Sequence, residues 1–223
     1  MIDHVTGPYD ELLIIPGSFH TPSPVNANRL RITRIYVSQR TTTFNGRRNW
    51  NIPKHLARFE FSPPGKDVHV AVYPPGSENG DGIQPFFEAT LTPWRGFGLP
   101  FSTRWSPLST IAAQPPLPAA TPNTAVSDSG SSAEGYGRRE QDHGVSADDA
   151  DVLVGTAQWA EMPLHAYTPR AKLMSVQMHN PKEGSAEEAE AEKWWPVKAQ
   201  PYKIGMVLEE AVFEIPKPKK WAP

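Results

Sequence analysis

The segment Phe44-Asn45-Gly46-Arg47-Arg48-Asn49-Trp50-Asn51-Ile52-Pro53-Lys54-His55-Leu56-Ala57 carries the side chains best placed for chemistry in this chain of 223 residues. Pro53 pushes Ile52 into an extended conformation and cannot donate within a central ladder, so the chain is expected to enter a strand here from an irregular segment. Lys54 then stands at the mouth of that strand. An amine flanked by Trp50, Ile52 and Leu56 would be partly desolvated, which favours the neutral form able to attack a carbonyl carbon. The competing reading is a lysine laid over apolar surface with its ammonium in water. His55 follows directly and, on a strand, points to the opposite face.

Other site chemistries have no sequence support. The chain lacks a Gly-rich phosphate loop ending in Gly-Lys-Ser/Thr, a dinucleotide fingerprint, a Gly-x-Ser-x-Gly elbow and a His-Glu-x-x-His pair, so no cofactor is expected. The seven histidines, among them His20, His69, His143, His165 and His179, show no close metal-ligand spacing, and no metal is expected. The run from Gly76 to Gly82 lacks the spacing and terminal Glu of a calcium loop and reads as a flexible turn. Cysteine is absent, which excludes disulfides and thiolate chemistry and fits a cytoplasmic setting.

The elements that must position Lys54 read as strands. Ala57, Phe59 and Phe61 alternate with Leu56, Arg58 and Glu60, and after the turn Ser62-Pro63-Pro64-Gly65-Lys66-Asp67 a second alternation follows in Val68, Val70 and Val72. This predicts an antiparallel hairpin. Further strands are expected over Glu11 to Ile15, Leu30 to Ser38, Phe86 to Thr92, Val152 to Trp159, Lys172 to His179 and Tyr202 to Ile215. In Leu30 to Ser38 the apolar parity changes, which implies burial on both faces or a bulge. Twenty-five prolines argue against long helices.

The stretch 112–150 turns to Ala, Pro, Ser, Gly and charge, and is expected to be a disordered low-complexity insertion in a single domain spanning 1–223. The acidic run within 181–193 has good helix formers but no apolar stripe and reads as a solvated loop or frayed helix. A formal charge of −2, from 22 basic and 24 acidic residues mixed along the chain, offers no basic face for nucleic acid. The longest early apolar run, Leu12-Leu13-Ile14-Ile15, is too short for a membrane span.

The segment Gly46 to Leu56 resembles the motif of the acetoacetate decarboxylase-like family, in which Gly-Arg-Glu is followed at fixed spacing by an aromatic or apolar residue, Pro, Lys, Lys and Leu. The resemblance to uncharacterised fungal members extends through Gly7-Pro8-Tyr9-Asp10-Glu11-Leu12, Ile32-Thr33-Arg34-Ile35-Tyr36-Val37-Ser38, Thr92-Pro93-Trp94-Arg95, Leu153-Val154-Gly155-Thr156 and Trp194-Trp195-Pro196. It implies a mainly β, cone-like antiparallel β-barrel around a closed cavity. It also places Lys54 at the Schiff-base position for a small carbonyl or β-keto acid ligand, with His55 where the family has its second lysine and Arg48 where it has Glu. Family members supply an arginine and two glutamates from strands before the Gly-Pro-Tyr-Asp-like segment. These are expected to have no counterparts here, leaving the barrel incomplete at its N-terminus, marginally stable or self-associating as a homo-oligomer. The functions implied are a Schiff-base carboxy-lyase, or alternatively a non-catalytic small-ligand-binding barrel or a shortened, inactive family member.

Overall fold

The computed structural model describes residues 7–63, 65–75, 77, 82–105, 110–118, 151–196 and 201–222. In chain order the elements are β1 (Glu11–Ile14), β2 (Ser18–His20), β3 (Asn28–Leu30), β4 (Arg34–Val37), α1 (Arg40–Trp50), β5 (Lys54–Leu56), β6 (Arg58–Phe61), β7 (Val68–Tyr73), β8 (Phe87–Pro93), β9 (Leu99–Ser102), β10 (Ile111–Gln114), β11 (Trp159–Pro163), β12 (His165–Met178), α2 (Ala186–Trp194), β13 (Ile204–Glu209), β14 (Val212–Glu214) and β15 (Lys219–Trp221). The fold is mainly β. Among the described residues the ladders form three sheets, β1-β4-β5, β15-β11-β10-β3-β2 and β13-β12-β8-β7-β6, and no ladder runs continuously round a closed barrel. No described helix is long and apolar enough to cross a membrane.

The expected hairpin is present: β6 pairs antiparallel with β7, with Phe59 opposite Val72 and Phe61 opposite Val70. Of the two causes expected for the change of parity between Leu30 and Ser38, burial on both faces holds in β4, where Ile35, Tyr36 and Val37 are all buried, and a division of the stretch adds to it. The stretch is two strands in two sheets, with β3 paired to β2 and β10, and β4 paired to β1 and β5. Tyr202 to Ile215 likewise divides into β13 and β14 at Glu210, whose φ of +54° turns the chain. Val152 to Trp159 is not a strand; pairing begins only at Trp159, and Val152 and Leu153 are buried from an irregular segment. Lys172 to His179 falls mostly in β12, whose ladder to β9 shifts register between Thr168 and Ala171, around Pro169, which has no N–H to pair.

Two further readings need correction. The expected disordered insertion does not include 112–118: β10 pairs antiparallel with β11, and Ala112, Ala113 and Gln114 are buried. Small side chains here pack closely, which composition alone reads as disorder; 119–150 lies outside the described residues. Within 181–193 the acidic stretch is not a solvated loop but takes the second of its two expected forms, a helix, and one that is capped and docked rather than frayed. Ser185 accepts from the Glu188 N–H at 3.1 Å while the Glu188 carboxylate accepts from the Gly184 N–H at 2.6 Å, a reciprocal cap that starts α2. The helix then docks through Ala191, Trp194 and the following Trp195.

Two interiors result. One gathers Tyr36, Ala57, Val70, Val72, Phe86, Ala89, Trp194 and Trp195. The other gathers Ile32, Ile35, Val37, Ile52, Ala112 and Met162. The β1-β4-β5 sheet lies between them, since successive residues of β4 alternate sides: Ile35 and Val37 face one interior and Tyr36 the other. Each fully buried large apolar side chain contributes roughly 1.5–3 kcal/mol.

Candidate active site

The segment preceding Lys54 is helical, where an irregular entry is expected from its sequence. Its three consecutive threonines have modest helix propensity and Gly46 none, so packing rather than propensity forms α1. Thr42 and Gly46, and Thr43 and Arg47, are spaced four apart and all are buried, forming the face that α1 lays on the sheet. The helix ends at Asn51, which takes the left-handed conformation at φ +56°. The Asn51 and Ile52 N–H groups close on the Arg47 and Gly46 carbonyls, each at 3.1 Å, and Pro53 then prevents further winding. This crossover is what allows β5 to run parallel to β4, with Lys54 opposite Ile35 and His55 opposite Tyr36.

Lys54 is buried, 6% exposed, and its stem runs beneath α1. A Cβ at position 46 would lie 2.6 Å from Lys54 Cδ and 2.8 Å from Cε, so only glycine leaves room for the lysine. Lys54 Nζ donates to Glu11 Oε2 and to Thr42 Oγ1, both at 2.9 Å, and stands 5.2 Å from the centre of the Tyr9 ring. Glu11 faces Val37 across the β1-β4 ladder while Lys54 faces Ile35, which places both on the same side of the sheet. The amine therefore meets a carboxylate from β1, a hydroxyl from α1 and an aromatic face from the chain just before β1. Glu11 and Tyr9 are the more exposed members, at 28% for the Glu11 side chain and 40% for Tyr9, so the route from solvent passes them.

Buried polar groups fix this arrangement from behind. The Arg47 guanidinium donates to the carbonyls of Val154 at 3.2 Å, Lys54 at 3.2 Å and Pro118 at 3.0 Å, joining the helix to β5 and to two irregular segments. Asn51 Nδ2 donates to the carbonyls of Pro115 at 3.0 Å and Gln158 at 2.5 Å. These bonds explain how 152–158 is held without being a strand: its carbonyls are taken by side chains of α1 and its cap.

His55 is not brought to the amine. It faces the opposite interior, with its ring 6.3 Å from that of Tyr36. The Tyr36 hydroxyl in turn donates to the Trp194 carbonyl. The carboxylate beside the amine is that of Glu11. Glu11 and Thr42 were missed as site residues; Glu11 lies within a segment singled out for other reasons and Thr42 two residues before one, but only the fold shows that they converge. Among the described residues no three His, Asp or Glu side chains converge as metal ligands.

No protein-family model matches this sequence, and no curated protein matches it. Among solved structures, the chain is similar to the acetoacetate decarboxylase from Legionella pneumophila subsp. pneumophila str. Philadelphia 1, with a TM-score of 0.50 and 10% sequence identity, over 97% of this chain and 68% of that chain. At that identity the likeness is one of fold, and the fold of this chain is acetoacetate decarboxylase-like.

Proposed function

We propose that this chain forms a Schiff base through Lys54 with a small β-keto acid or related carbonyl compound and acts as a carboxy-lyase. The observation that carries this reading is a buried lysine amine 2.9 Å from both a carboxylate and a hydroxyl. A proton shift from Nζ to Glu11 Oε2 yields the neutral amine and a carboxylic acid in one step. The amine attacks the carbonyl carbon, and Glu11 returns the proton to the departing hydroxyl, which leaves as water. In the protonated imine the bond to the substrate carboxylate breaks, carbon dioxide departs, and the electron pair moves into the imine to give an enamine. Protonation at carbon and hydrolysis of the imine release the ketone and restore the amine. Thr42 holds Nζ in line, and the cone-like wrapping that the family resemblance implies would keep water from the intermediate.

A second reading has its own support. The Lys54 and Glu11 pair ties β1 to β5 beneath α1, as an ion pair in a non-catalytic or ligand-binding family member also would. Borohydride reduction in the presence of acetoacetate separates the two, since only an imine is converted to a stable amine. The expected result is one irreversibly labelled lysine, Lys54, with labelling abolished in Lys54→Ala. Labelling scattered over surface lysines, or unchanged in that variant, leaves the structural ion pair as the role of Lys54.

A further inference from the structure

We propose that the free edge of β13 pairs with the same edge of a second copy of this chain, antiparallel and centred on Met206, so that the largest sheet continues across a two-fold axis. β13 is a terminal strand of its sheet, bonded to β12 on one side only among the described residues. Backbone parity shows which groups are left over. The Val176 N–H donates to the Lys203 carbonyl at 2.9 Å, so Lys203, Gly205 and Val207 turn their backbone groups toward β12. Leu173, opposite Met206, agrees: its carbonyl accepts from the Trp94 N–H at 2.8 Å on the far side of β12. The N–H and C=O groups of Ile204, Met206 and Leu208 therefore point outward from the sheet edge.

Those three residues select one register. With Met206 opposite Met206 of the second copy, Ile204 falls opposite Leu208, and all the outward groups bond in pairs. The same register sets Lys203 against Glu209, which Lys172 and Arg170 already pair at 2.6 and 3.1 Å, so no like charges oppose each other, where a parallel pairing would align like with like. Nothing within the strand blunts the edge: Ile204 to Leu208 contains no charge and no proline. The outer sheet face beside it is apolar, with Leu99, Leu173, Ile204 and Met206 exposed, and pairing makes that strip continuous between copies.

Light scattering on the full chain is expected to give a particle of two chains. Met206→Lys, which sets two like charges against each other at the axis, and Met206→Pro, which removes an outward N–H unused by the β12 ladder, are both expected to give one chain. Met206 is exposed in a single copy, so circular dichroism of Met206→Lys should match the parent even where the proline variant misfolds. Because the chain has no cysteine, Met206→Cys introduces a single thiol. Hydrogen-bonded antiparallel partners stand about 5.5 Å apart at Cα, within the disulfide range. Mild oxidation of Met206→Cys should therefore link two chains through the introduced thiols, while Ser175→Cys, one strand in from the edge, should not link. A chain that is monomeric throughout, or a dimer indifferent to Met206→Lys and unlinked by Met206→Cys, overturns the proposal.

Discussion

Lys54 and His55 are neighbours in sequence and occupy different interiors of the molecule. On the Lys54 side of the small sheet the buried groups include, beside the apolar cluster around Ile35, Val37 and Met162, a polar set: Thr42, Arg47, Asn51 and Lys54 itself, held by hydrogen bonds to carbonyls, a hydroxyl and a carboxylate. On the His55 side they are aromatic, with Tyr36 against Phe86 at 4.6 Å between ring centres and Phe86 stacked on Trp194 at 6.1 Å. Polar burial is favourable only when partners are already in place, so the first side holds one arrangement of atoms, whereas the second gains from any good filling of volume. A single strand thus separates a side where substitution should alter chemistry from one where it should alter stability.

The largest effect should come from closing the space that the lysine stem uses. Gly46→Val is expected to lower stability by about 3 kcal/mol, at the upper end for overpacking, and to abolish borohydride labelling of Lys54. Denaturant unfolding measures the first and peptide mapping the second. Adding Lys54→Ala removes the obstructing stem and should recover most of the stability; a double variant no better than Gly46→Val would mean that the helix is disturbed for another reason. Next in size, Glu11→Gln keeps an acceptor near Nζ but cannot carry a proton, and should slow imine formation about a hundredfold, the low end for a positioned proton-transfer group. An unchanged rate would remove Glu11 from the chemistry.

On the other side of the sheet, Tyr36→Phe strips the hydroxyl from the Trp194 carbonyl and should cost about 1 kcal/mol, with labelling unaffected. Any change in labelling there would show that the two interiors are coupled. His55→Lys should be the mildest. The new charge points away from Nζ, so the labelling rate at a fixed pH should move by less than about twofold. A larger change would show that charge reaches through the sheet.

What could be read from sequence follows the same division. Period-two alternation announced the β6-β7 hairpin, and the rule that adjacent strand residues face opposite ways correctly separated Lys54 from His55. Helix α1 was hidden because its buried face is made of Thr42, Thr43, Gly46 and Arg47, which carry no apolar period. Helix α2 was legible in principle from Ser185 and Glu188, three apart, followed by helix formers, but its docking rests on two tryptophans at its very end. Glu11 was out of reach for a different reason: its meeting with Lys54 depends on β1 and β5 flanking β4, a pairing 43 residues apart in sequence.

The passage of the Lys54 stem beneath Gly46 bears on how the amine meets a partner. A free lysine samples many rotamers, and ordering one costs up to about 2 kcal/mol of conformational entropy. Here that cost falls on folding, because the stem is confined between helix and sheet before anything binds. Under the proposed Schiff-base chemistry, an arriving carbonyl compound would not have to arrest a swinging side chain; it would meet an amine held in one orientation. On that proposal, discrimination among carbonyl compounds would rest on their path past Tyr9 and Glu11 rather than on any accommodation by the amine.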